Sequence, residues 1–390
     1  MPPGDSSLAQ ILNRLAAGET PTASEWQQLA IDALESSQWT EVFSLTPTQV
    51  EEVIQARSLN VPEVRSPSQE PSRAAICLAH LFQTAYFDIL SLPSVRPTPT
   101  KPSQEAEEIS QAKILLSLYN LWLPLALKLA TCRQQMNRPF IQGILGGQGT
   151  GKTTLAAVLS LILAQLGYRT LSLSLDDLYK TYADRQRLQQ SDPRLIWRGP
   201  PGTHDIELGR ELLDQLRSPH QNEPIFVPRF DKSAWGGAGD RTNPESVEGV
   251  DIVLFEGWFV GVRPIDPAIF DAPTPPPITT ADDRAFARDM NEHLQNYLPL
   301  WERLDRLMVL YPTDYRLSQQ WRRQAEHQMI ATGKSGMTDL QVDQFVEYFW
   351  KSLHPELFIT PLTQNPRYVD LVVDINPDHS MGAIYRPSDV

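Results

Sequence analysis

The chain has 390 residues, 41% of them hydrophobic, which allows a large buried core and more than one domain. A formal net charge of −13 and a pI of about 5.0 lack the basic footprint of a nucleic-acid binder. Two cysteines, Cys77 and Cys132, supply neither a disulfide framework nor a zinc site. No uninterrupted apolar run of membrane-spanning length is evident, and the opening MPPGDSSLAQILNRLAAGE has neither the basic start nor the apolar core of a signal peptide. These features lead us to expect a cytoplasmic protein without nucleic-acid or membrane partners, its two thiols buried and unpaired.

In chain order, residues 1–91 read as an all-helical extension. Leu8, Ile11, Leu12 and Leu15 follow the spacing of one buried helical stripe. Thr22 with Glu25 and Thr46 with Gln49 read as capping boxes, the second with Pro47 at the first helical position. An apolar helix is predicted from Ser72 to about Leu90. Residues 92–104, rich in Pro and Thr, read as a stiff polar linker. A helix from Glu105 to Met136, apolar on several sides, follows, with a kink expected at Pro124.

From Pro139 the pattern changes. FIQGIL, RTLSLSLDD, DIVLFEG, RLMVLYP and YVDLVVDIN are strand-like runs that alternate with helical ones, the signature of an α/β domain with a mostly parallel sheet flanked by helices. The first run leads into Gly146-Gly147-Gln148-Gly149-Thr150-Gly151-Lys152-Thr153, followed by Thr154 and an apolar helix that stops at Gly167. This is the phosphate-binding loop in its strand–loop–helix context: glycines let backbone N–H groups converge on phosphate oxygens, Lys152 reaches the β/γ-phosphates, and the Thr153 hydroxyl ligates Mg²⁺. ATP and Mg²⁺ are therefore the expected cofactors.

Ligands on such sheets sit at the carboxyl ends of the strands. There the second run ends in Asp176-Asp177 and the third in Glu256. Phosphoryl transfer requires a group that accepts the proton of the attacking hydroxyl. Asp176 is the choice for it, with Asp177 as the alternate or as the cap of a helix beginning near Leu178. Glu256 suits Mg²⁺, or else simply closes its strand. In WRGPPGTHD, residues 197–205, His204 either meets the substrate or lies at the surface, and Asp205 caps the helix Ile206–Leu216. PRFDKSAWGGAGDR, residues 228–241, follows a short strand, IFVP. It reads as a glycine loop whose Arg229, Lys232 and Arg241 either suit an anionic substrate or are solvated. Asp271–Thr280 reads as a surface excursion before a helix from Ala281 to Leu298. Later, Arg322, Arg323 and Lys334 lie on a basic helix and turn over 313–345 that either closes as a lid over the nucleotide or is a solvated face.

Taken together, GGQGTGKT, SLDDLYKT, RGPPGTHD, PRFDKSAWGGAGDR, VLFEGWFVG and WRRQAEHQMIATGKSGMTDLQVDQFV resemble D-glycerate 3-kinases of the plant and cyanobacterial type, in the group that contains phosphoribulokinase, uridine kinase and pantothenate kinase. The resemblance covers about residues 139–374 and leaves the N-terminal helices outside. It implies a P-loop kinase domain over 105–390 that makes 3-phosphoglycerate from D-glycerate, as in photorespiratory salvage. It also implies Asp176 as base, Tyr179 as a substrate-pocket aromatic, Lys232 facing the acceptor and Arg322 on the lid. Arg323 stands where the family usually has an apolar residue. The alternatives are another small hydroxyl acceptor, such as uridine, pantothenate or a sugar, and a nucleotide-binding switch or scaffold.

Overall fold

The computed structural model of the chain describes residues 7–16, 19–56, 72–93, 95, 104–218, 223–331, 333 and 336–388. Most of the anticipated 92–104 linker, and Lys334, lie outside them. The chain divides into two compact units, Met1–Asn137 with Thr153–Leu171 and Arg138–Lys152 with Ser172–Val390.

The first unit is helical: α1 (Ser7–Ala16), α2 (Ala23–Leu34), α3 (Ser37–Glu41), α4 (Pro47–Gln55), α5 (Arg73–Ser91), α6 (Gln104–Ser117), α7 (Leu123–Gln134) and α8 (Lys152–Gln165), the last beginning one residue before the unit's second segment. Both capping boxes form as expected, at Thr22 and Thr46. Helix α5 packs against α2, α4 and α6, burying Trp26, Leu29, Phe82 and Tyr86. It also holds α8, because Thr84 Oγ1 and Asp88 Oδ2 bind the amide of Gln165 at 3.0 and 2.6 Å. Cys77 and Cys132 are free and buried.

The expected kink at Pro124 takes the form of a π-helical turn over Leu118–Trp122. Proline has no N–H for the carbonyl four residues back. That carbonyl, on Asn120, accepts instead from Gln38 Nε2 at 3.2 Å, and the neighbouring Tyr119 carbonyl accepts from Trp39 Nε1 at 3.1 Å. Arg73–Ser91 and Gln111–Gln134 are long and apolar enough to cross a bilayer, which corrects the expectation that no such stretch exists. Over half of each is buried inside the structure, as befits central helices that face neighbours on several sides.

The second unit carries a six-stranded sheet in the order β2-β5-β1-β6-β7-β8, with β1 Phe140–Gly146, β2 Thr170–Ser174, β5 Ile252–Gly257, β6 Arg306–Pro312, β7 Leu371–Ile375 and β8 Met381–Tyr385. The β5, β1, β6 and β7 strands pair in parallel, and β8 closes the edge antiparallel. A separate antiparallel hairpin, β3 (Ile225–Asp231) and β4 (Asp240–Val247), takes in both ends of the loop expected over 228–241 and leaves 232–239 as its connection. The helices are α9 (Tyr182–Ser191), α10 (Ile206–Leu216), α11 (Ala281–His293), α12 (Leu298–Trp301), α13 (Leu317–Ala331), α14 (Asp339–Ser352) and α15 (Pro355–Phe358).

One helix starts later than anticipated. Ser174 and Asp177 form a capping box, but the turn they cap is a single 3-10 turn, Leu175–Leu178. Tyr179 then leaves the helical path to pair with His204 as an isolated antiparallel bridge. The α-helix waits until Tyr182, where Thr181 caps it through Asp184 N.

Candidate active site

The carboxyl edge of the sheet gathers the predicted groups of the second unit. In register, Leu145 lies beside Gly257 and Ile144 beside Glu256, so the P-loop and Glu256 leave adjacent strands at the same level. Thr150 Oγ1 and Lys152 Nζ both donate to the Gly147 carbonyl at 2.9 Å, which curls the loop. Thr153 and Thr154 follow in the first turn of α8, whose free N–H groups favour an anion. Gly149 has φ +80°, and a Cβ there would come within 2.7 Å of Trp321 Cβ. Trp321 is buried at the start of α13, donates to the Pro377 carbonyl at 3.0 Å and stacks on His379. Burial lowers the Lys152 ammonium pKa, while the Glu256 and Asp176 carboxylates work against that shift. Those carboxylates are therefore the nearby negative charges of the phosphate cradle.

Asp176 follows β2 directly. Its Oδ2 meets Lys232 Nζ at 2.6 Å, from the turn that follows β3. Burial pushes the Asp176 carboxyl up, but the charge and hydrogen bond of Lys232 outweigh it. With the Tyr179 hydroxyl also donating, the carboxyl ends below the ordinary aspartate range. Burial, and then Asp176 itself, push the Tyr179 hydroxyl well above the usual phenol value.

His204 is neither at the surface nor solvated; it is 1% exposed, stacked on Tyr179 with ring centroids 4.5 Å apart. Burial drives its pKa down to about 3, so the ring is neutral at physiological pH. Its Nδ1 lies 2.7 Å from the Tyr297 hydroxyl. The oxygen of that hydroxyl accepts the Gly202 N–H at 2.9 Å and faces the His204 amide as well. A Tyr297 hydroxyl that donates to Nδ1 would leave the ring proton on Nε2. The Nε2 atom is buried and has no partner among the described residues.

The remaining predicted cations are engaged with protein. Arg229 pairs with Asp177 at 2.8 Å and Glu245 at 2.7 Å, so Asp177 is both helix-turn cap and arginine partner. Arg241 pairs with Asp205, which caps α10 through Leu208 N, and donates to the Tyr179 carbonyl. Arg322 pairs with buried Glu326 at 2.5 Å and lies over the Phe345 ring. Arg323 pairs with Asp343.

Two arginines escaped the sequence reading. Arg198 Nη1 donates to the carbonyls of Gly237 and Ala238 at the hairpin tip, at 2.6 and 3.1 Å. Arg185 donates to Lys180, Ala238 and Gly239 carbonyls. Both guanidiniums lie 6.0 Å from the Tyr179 ring centroid. Neither belongs to a motif that carries chemistry by its spacing. Only the arrival of the hairpin tip beside both sets them apart.

No group of three or more His, Cys, Asp or Glu side chains able to hold a metal occurs among the described residues.

No family model matches the chain. Known relatives do. An uncharacterised kinase of Schizosaccharomyces pombe is 30% identical over 252 residues, covering 61% of this chain and 89% of the relative. The chloroplastic D-glycerate 3-kinase of Arabidopsis thaliana is 31% identical over 255 residues, covering 62% of this chain and 54% of that protein, so the match spans about half the plant enzyme's length. The solved structure of D-glycerate 3-kinase from Cryptococcus neoformans superposes with a TM-score of 0.58 at 29% identity, covering 67% of this chain and 96% of that one.

Proposed function

Because the chain belongs to the P-loop family of small-molecule kinases that includes these D-glycerate 3-kinases, we propose that it transfers the γ-phosphoryl group of ATP to the 3-hydroxyl of D-glycerate. The observation that carries this reading is the placement of the Asp176 carboxylate among the charges acting on Lys152, with Lys232 bonded to it. A P-loop ATPase needs no half-buried, cation-held aspartate there; a kinase needs one to receive the acceptor's proton.

In this reading Lys152 and the loop amides hold the phosphates and take up charge that develops on the β/γ-oxygens. Thr153 and Glu256 are the residues that would hold Mg²⁺, which when bound neutralises phosphate charge and orients the γ-phosphoryl group. Asp176 accepts the proton of the 3-hydroxyl as that oxygen bonds to the γ-phosphorus and the bond to the β-phosphate oxygen breaks. ADP and 3-phosphoglycerate leave, and Asp176 returns its proton to solvent. Lys232 keeps the carboxylate ionised between turnovers. The neutral His204 presents Nε2–H as a donor to an acceptor oxygen, while Asp177, Arg229 and Arg241 hold the hairpin and the 204–205 loop around the acceptor. Arg322 would have to leave Glu326 to act on the phosphoryl group.

The test is ADP release with Mg·ATP and, separately, D-glycerate, L-glycerate, uridine and pantothenate. Turnover with D-glycerate above the others supports the proposal. Preference for uridine or pantothenate would retain the kinase chemistry and discard the substrate.

A further inference from the structure

Beside the Tyr179 ring lie two guanidiniums, Arg185 and Arg198, that no described carboxylate pairs with. Among the described residues no acidic side chain lies within ion-pair distance of Arg185 or Arg198, and their hydrogen bonds end on neutral backbone carbonyls. Asp240, the acidic group whose charge acts on Arg185, already accepts from the Tyr182 amide, Trp235 Nε1 and its neighbour Arg241's amide. The two arginines also repel each other: after burial, the Arg198 charge is what lowers the pKa of Arg185. Such a pair persists in a folded protein when an anion is to be bound between or beside its members. By contrast Arg229 and Arg241, the cations that the sequence suggested for this task, are held by Asp177, Glu245 and Asp205.

Position adds a second, independent indication. Tyr179 joins the arginines to the site of chemistry. Both guanidiniums lie over or beside its ring, its hydroxyl donates to Asp176, and His204 stacks on its other surroundings with an unpartnered buried Nε2. The unsatisfied groups around this ring are donors and cations. They call for an acceptor-rich, negatively charged ligand. Lys152, in turn, responds to Glu256, Asp176 and Lys232, so the phosphate cradle lies toward the Asp176 side.

We propose that Arg185 and Arg198 read the carboxylate of the phosphoryl acceptor, which lies along Tyr179 with its attacking hydroxyl at Asp176. The inference rests on the kinase reading of this site and names the feature by which the enzyme selects an acid over an uncharged alcohol. Both arginines hold the hairpin tip through two carbonyls each, and Arg185 also donates to the Lys180 carbonyl beside Tyr179, so Arg198 is the probe with fewer structural bonds to lose.

The experiment is steady-state kinetics of wild type and Arg198→Gln with D-glycerate and with its uncharged amide, D-glyceramide, at saturating Mg·ATP. Removing a charge-assisted contact raises KM for D-glycerate at least about tenfold, while kcat, KM for ATP and KM for the amide stay near wild type. Arg198→Lys recovers the acid preference only in part, because a point charge lacks the planar fork; it also carries the test if the glutamine variant does not fold. An unchanged KM for D-glycerate, or a rise confined to KM for ATP, overturns the proposal. If wild type phosphorylates another acid such as pantothenate, the D-glycerate assignment fails alone, and the same KM shift is expected with that acid. If wild type prefers uridine, both readings fail.

Discussion

At the scale of single residues the site is organised by opposed forces on one carboxyl group. Burial favours the protonated form of Asp176, and Lys232 with Tyr179 favours the ionised form; the second influence prevails. As the proposed base Asp176 works when ionised, and its carboxyl is held below the ordinary aspartate range. Activity should therefore hold as pH falls from neutral, and fail only in strongly acid solution. In Lys232→Met burial acts unopposed by that cation, so the Asp176 pKa rises and the acid limb of kcat/KM moves to higher pH. A pH–rate profile measures this shift directly; an acid limb that stays in place would show that Lys232 does not control the base. Asp176 itself was legible in the sequence, since it follows a strand-like run whose carboxyl end is where ligands of such sheets bind. Its regulator was legible only as one cation among three. That Lys232 reaches Asp176 while Arg229 and Arg241 turn to other carboxylates depends on hairpin geometry that no spacing encodes.

Among the elements, the best-read were those with apolar periodicity. The runs ending at Gly146, Glu256 and Pro312 are strands because nearly every side chain in them is buried. The β4 strand, DRTNPESV, is exposed along most of its length and shows no alternation, so only its pairing with β3 makes it a strand. Gly239, just before β4, has φ +74° and faces the Phe230 ring too closely for a Cβ, which lets the glycine-rich connection fold back beside β3. The P-loop carries a similar constraint, imposed from outside the motif. Gly149→Ala would place a methyl group 2.7 Å from Trp321 Cβ at a positive φ. We expect this to cost at least about 1–3 kcal/mol and to weaken ATP binding by prying the start of α13 from the loop. Thermal unfolding together with nucleotide titration would check it; unchanged stability and affinity would mean that Trp321 does not brace the loop.

For the whole molecule, a net charge of −13 makes the cationic rim of the Tyr179 pocket a local exception, built from arginines that approach one another only in the folded second unit. The α/β architecture and the kinase family were accessible from motif order, because the P-loop, the Asp176-Asp177 pair and Glu256 each sit at or just after the end of a strand. The N-terminal helices were accessible as helices, through their caps and stripes. That they fold as one unit with α8, the helix that follows the P-loop, was not, because that association runs through Gln165 and side chains 77 or more positions away. The central claim is that this fold delivers the γ-phosphoryl group to the 3-hydroxyl of D-glycerate with Asp176 as base. The most direct measurement is phosphorus NMR of the product formed from Mg·ATP and D-glycerate by wild type and by Asp176→Asn. The account predicts 3-phosphoglycerate in equal amount to ADP, formed at least about a hundredfold more slowly by the variant. Phosphorylation at the 2-hydroxyl, release of inorganic phosphate alone, or a variant as fast as wild type would contradict it.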